Sequence, residues 1–173
     1  MSPEPQELDA RGKQAFGNKN FDEAAEYFRR ASDAYAAGGA ALKAAEMKNN
    51  LSVALLQTGQ ARAALEAALG TDEIFAKENH LKFQAMALGN QAAALDELKR
   101  YDEAIEKYER SADLFGQIDE GDLRAMVMKS AAAVKLKTGK VTESAFKMMG
   151  SLDVKKNPGI FERILKFFMR FIK

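Results

Sequence analysis

Apolar residues recur along this chain at the three-to-four-residue spacing of a helix face, interrupted by short polar or glycine-containing turns. The clearest stretch is Phe21-Asp22-Glu23-Ala24-Ala25-Glu26-Tyr27-Phe28. In it Phe21, Ala24, Ala25 and Phe28, with Ala31 beyond, share one face of a helix that Gly38-Gly39 ends. Upstream, Ser2-Pro3-Glu4 has the chemistry of a helix start, with Ser2 as cap and Pro3 in the first helical position. A helix is therefore predicted from there to about Gly17. A second pair follows, a helix through Asn49–Leu56, a turn at Thr58-Gly59-Gln60 and a return helix from Arg62. Gly70 falls inside that return helix, where it weakens it by ~1 kcal/mol relative to Ala. Asn79-His80 marks the next boundary. A third pair is Met86–Leu98 and Tyr101–Phe115 around a turn at Lys99-Arg100, with Gly116 and Gly121 flanking the connection that follows. A fourth is Leu123–Lys137 and Val141–Met149 around Thr138-Gly139-Lys140.

The pairs repeat. Tyr101-Asp102-Glu103-Ala104-Ile105-Glu106-Lys107-Tyr108 echoes Phe21–Phe28 eighty residues later. Ala24, Ala64, Ala104 and Ser144 fall at a strict 40-residue period, as do Gly12, Ser52, Ala92 and Ala132, and all eight are small. Small residues at two fixed places per unit let helices approach closely, as stacked hairpins require. The pattern predicts an all-α solenoid of about four helical hairpins, near 5–38, 45–78, 85–118 and 125–152.

Gly12…Phe21-Asp22-Glu23-Ala24…Phe28…Ala31 and Tyr101-Asp102-Glu103-Ala104…Tyr108…Ser111 resemble tetratricopeptide repeats, with Ala61 and Val141 at places where that family usually has an aromatic. The resemblance covers roughly residues 1–152, with a 40-residue period that is similar to the long-repeat members found among adaptor and cargo-binding proteins. It implies a right-handed superhelix and a protein-interaction scaffold or adaptor. The first helix of each hairpin would line a concave groove that grips an extended or helical partner segment.

The groove positions that the resemblance implies near the middle of each first helix are Ala10, Asn50, Asn90 and Ser130. An asparagine amide both donates to and accepts from a peptide backbone. Lys13, Asn49, Glu46, Met86 and Lys129 are expected on the same face. The resemblance also raises a clamp for a terminal carboxylate, but here the matching residues are Asp9 and Lys13, and Asp9 would repel one. A mixed-charge groove suits a partner carrying both signs, or one held through its backbone.

Composition adds bounds rather than a function. With 173 residues, 47% hydrophobic and 29% charged, the chain can bury one sizeable core. It has no cysteine, which fits a reducing compartment. The start lacks the basic and apolar regions of a secretory signal, and no run reaches the ~18 apolar residues that span a bilayer. A cytoplasmic location is expected, with peripheral membrane attachment as the alternative. His80 is the only histidine, at a turn beside Glu78, where a surface or capping role is expected. Without a second histidine or a cysteine no transition-metal set is expected, and the single turn glycines are not a phosphate loop. No nucleophile, base and oxyanion donor assemble, so no enzyme activity and no cofactor are predicted. Met126, Met128, Met148 and Met149 are expected to cluster as core of the last unit.

Charge singles out the C-terminus. Residues 1–154 hold 20 Lys+Arg against 24 Asp+Glu, and residues 155–173 hold 6 against 1. The acidic body gives no reason to bind nucleic acid, whereas the basic end suits an acidic surface. After a linker at 153–158, where Asn157-Pro158 with Gly159 stops any preceding helix, residues 159–173 read as an amphipathic helix. Glu162, Arg163, Lys166, Arg170 and Lys173 occupy one arc of roughly 100° on a helical wheel. Phe161, Ile164, Leu165, Phe168 and Ile172 lie outside it. Such a face must be buried, against the last unit as a cap, in an anionic membrane interface, or on a partner, a second copy or the chain's own groove.

Overall fold

The computed structural model describes residues 4–139. Among them every regular element is a helix: α1 Pro5–Gly17, α2 Phe21–Ala37, α3 Ala41–Gln57, α4 Ala61–Ala68, α5 Thr71–Lys77, α6 Leu81–Glu97, α7 Tyr101–Gln117 and α8 Gly121–Lys137. The chain divides into two compact units after Val134, and the packing considered below is that of the first. The return helix at 141–149, Ser144, Met148, Met149, the linker and all tail residues lie outside the described residues.

The turns explain the period. Lys19, Gly39, Gly59, Asn79, Lys99, Asp119 and Gly139 all have positive φ, and they stand twenty residues apart without exception. Beside each of the first six, the next residue closes one helix and opens another. Arg100 N–H reaches back to Leu95 O at 2.9 Å, and Arg100 O accepts from Ala104 N–H at 3.0 Å. Asn20, Ala40, Gln60, His80 and Glu120 repeat both bonds. Six-to-one bonds of this kind satisfy carbonyls that a helix end would otherwise leave open. The 40-residue sequence repeat is thus two copies of one 20-residue backbone unit, a 17-residue helix and a three-residue turn.

Five helix boundaries differ from the sequence expectation. Helix α1 starts at Pro5 rather than after Ser2, because a residue before proline is driven out of the α region, and Glu4 is extended at ψ 146°. Helices α3, α6 and α8 begin at 41, 81 and 121, because the turn sets their start before their apolar pattern becomes regular. Gly116 belongs to α7, whose turn is Ile118-Asp119-Glu120.

The largest difference is in the second return helix. Gly70 does not lie within a continuous helix. It is left-handed at φ 77°, and it separates α4 from α5. The ladder closes with Leu69 N–H on Leu65 O and reopens with Ile74 N–H on Gly70 O. Ala68 stands where the other return helices carry Phe28 and Tyr108, so no aromatic anchors the middle of this one.

The core follows the two small columns. Ala24, Ala64 and Ala104 are fully buried, as are Ser52 and Ala92. Gly12 is required where it stands, since a Cβ there would lie 2.7 Å from Cδ1 and Cε1 of buried Phe28. Ala132 departs from its column and is exposed; the residue the period sets against it, Met148, lies outside the described residues. Helices α1 to α4 pack in chain order, as do α5 to α7, while α3 also meets α5 and α6, and α4 meets α6. Val127, Ala131 and Val134 of α8 complete the core cluster.

Candidate functional site

Because α3, α6 and α8 start at equivalent positions, Asn50, Asn90 and Ser130 are each the tenth residue of a 17-residue helix. They repeat at one height, with Glu46, Met86 and Met126 one turn before them. Asn50 and Asn90 are half-buried, as a side chain on the wall of a recess would be, and Ala10 is exposed. Ser130 is half-buried and donates to Met126 O at 3.3 Å.

Two of the selected residues meet in one cleft. Lys13 and Phe16 of α1, Phe28 of α2, and Asn50 and Val53 of α3 line a recess of about 190 Å³. Phe28 is 2% exposed and forms part of an apolar base, while Lys13 and Asn50 supply an ammonium and an amide. The Lys13 Nζ donates to Asp9 Oδ2 at 2.8 Å. The Lys13 side chain is exposed while that of Asp9 is largely covered, so the ammonium can meet a further oxygen while keeping its bond to Asp9. The second Asp9 oxygen is buried without a partner among the described residues. Lys43 donates to Glu46 at 2.8 Å, and that bond raises the Lys43 pKa, with charge attraction to Glu46 next and to Tyr35 and Asp9 smaller.

Asn49 is not on this face. It is 5% exposed, and its Oδ1 accepts from Thr71 Oγ1 at 3.0 Å. One residue along a helix turns the side chain by ~100°, which here carries Asn49 into the contact with α5. Met86 is 40% exposed and Lys129 is exposed, and neither reaches the Lys13–Asn50 cleft. Met126 and Met128 are 59% and 51% exposed, not core, because α8 buries the face carrying Val127, Ala131 and Val134 instead. Met126 thereby joins Met86 as an exposed thioether at the same register. His80 is exposed at the start of α6, with its ring centroid 6.2 Å from that of Phe83.

Phe16 and Val53 were not anticipated as site residues. The signal was present in the 40-residue period, which sets Val53 at the register of Lys13. Among the described residues, no group of three or more His, Asp or Glu side chains is arranged to hold a metal ion, and no helix is long and apolar enough to cross a membrane. No protein-family model and no curated protein matches the sequence.

Proposed function

We propose that this chain is a protein-interaction scaffold, a solenoid of tetratricopeptide-type hairpins whose first helices take a segment of a protein partner. The observation that carries the reading is the Lys13–Phe16–Phe28–Asn50–Val53 cleft, where an apolar recess is rimmed by a cation and an amide. A recess of about 190 Å³ suits one large apolar side chain. The Asn50 amide would pair with the backbone beside that side chain, and Asn90 would do the same one unit further on. Met86 and Met126 offer the same segment an unbranched, polarizable surface that adapts to its shape.

Selection of a random-peptide display library against the full chain tests this. The reading expects peptides with a bulky apolar residue. Their affinity should fall by ~1–3 kcal/mol when Asn50 and Asn90 are both replaced by alanine, with helicity unchanged. Peptides whose capture ignores that replacement would reject the site. A second reading, a peripheral membrane adaptor, is favoured by the charge segregation of residues 159–173. Failure of the full chain to co-sediment with anionic vesicles at low salt would exclude it.

A further inference from the structure

We propose that the break between α4 and α5 is a latched joint, held closed by Gln91 and Asn49, whose opening re-angles the helices on its two sides. Its backbone is built to bend. Helices α2 and α7 run unbroken for 17 residues, with Arg30 and Arg110 at the position of Gly70. At Gly70 the chain is left-handed, and a Cβ built there would meet nothing within 4 Å, so movement has room. Leu69 beside it is 55% exposed. Residues at the ends of elements that absorb backbone rotation are what hinges are made of.

The latch is a buried polar cluster, where the equivalent places in α2 and α7 each make a single buried bond, Ser32 Oγ to Ala44 O and Ser111 Oγ to Ala85 O. Gln91 of α6, 1% exposed, donates through Nε2 to Ala68 O at 3.0 Å and to Asp72 Oδ1 at 2.7 Å. Thr71 Oγ1 lies 2.7 Å from Ala68 O and 3.0 Å from Asn49 Oδ1 of α3. Side chains from three elements therefore converge on the carbonyl that α4 leaves open and on the first turn of α5. Ala68 stands where α2 and α7 carry Phe28 and Tyr108, and Gln91 stands where α3 carries Leu51 and α8 carries Ala131.

The closed state is held but not saturated. Gln91 Oε1 and Asn49 Nδ2 are buried with no partner among the described residues. Each recovers hydrogen bonds to water when the joint opens, which narrows the gap between closed and open forms. Both α4 and α5 pack on α3 and on α6, so opening shifts α6 against α3. In consequence the spacing of Asn50 and Asn90 changes. Only this last consequence rests on the proposed groove.

Hydrogen–deuterium exchange of the full chain, read peptide by peptide, tests the joint without any ligand. Gln91→Met keeps the volume and removes both latch bonds. It is expected to speed exchange over 66–76 about tenfold while peptides in α1, α2 and α7 keep their rates. Thr71→Val, nearly isosteric, is expected to speed the same peptides about threefold, and it decides the matter if Gln91→Met does not fold. Faster exchange spread evenly over all helices would mean that the cluster only supports global stability, and unchanged rates at 66–76 would mean that there is no latch. Either result overturns the proposal.

Discussion

Replacing Gly12 by alanine sets two effects of known size against each other. Alanine is favoured over glycine in a helix interior by ~0.8–1.0 kcal/mol, so an isolated helix would be stabilised. In the folded chain the added methyl would stand 2.7 Å from two carbons of the Phe28 ring, so the buried ring must shift toward the Lys13–Asn50 cleft or α1 must move off α2. Overpacking of this kind costs ~1–3 kcal/mol, so a net loss of ~1 kcal/mol is expected. At this chain length that is roughly 2–4 °C in thermal midpoint, readable by circular dichroism at 222 nm. The control is the same replacement in a Phe28→Leu background. With the ring edge gone, Gly12→Ala should turn stabilising by up to ~1 kcal/mol, giving a coupling of ~1–2 kcal/mol between the two positions. If Gly12→Ala stabilises the parent chain as it would a free helix, the close approach of α1 and α2 is wrong.

The turn rule and the buried tyrosine give two more. Lys99 holds φ 60° without being glycine, so Lys99→Gly should stabilise by ~0.5–1 kcal/mol in urea unfolding, while Gly59→Ala should destabilise by a similar amount. Tyr108 is 7% exposed, and burial raises its pKa, with repulsion from Asp96 and Glu97 adding and a bond to Ser130 opposing. A phenol whose folded pKa lies above its unfolded value near 10 contributes stability that is complete below pH ~10 and is lost as pH rises through the folded pKa. Tyr108→Phe should therefore flatten the decline in thermal midpoint above pH 10, and one of the four tyrosines should titrate above the rest by absorbance at 295 nm. An identical decline in both proteins would contradict the assignment.

Helices α2 and α7 were legible because Phe21–Phe28 and Tyr101–Tyr108 carry apolar spacing, acidic first turns and small columns that all agree. The 20-residue turn rule was half visible. Gly39, Gly59, Asn79 and Asp119 are residues that tolerate a left-handed backbone, whereas Lys19 and Lys99 carry no such mark. The break at Gly70 could have been read from Thr71-Asp72-Glu73, a hydroxyl and two acids directly after a glycine, which is how a helix begins. What the sequence could not express is that Gln91 of α6 bonds the Ala68 carbonyl of α4, since that depends on a contact between the two helices. Asn49 and Asn50 show the same limit within one helix. They are adjacent and chemically identical, and only the packing of α5 against α3 buries one and leaves the other at the cleft.

The chain has no cysteine, so a single one can be placed in the cleft and read without background. Val53→Cys, coupled to a photoactivatable crosslinker and illuminated with a display-selected peptide, examines the proposed docking face directly. The account predicts a peptide adduct at position 53, abolished by excess unlabelled peptide and absent when the crosslinker is carried instead by Arg29→Cys on an exposed site of α2. An adduct formed equally at both positions, or only at position 29, would contradict it.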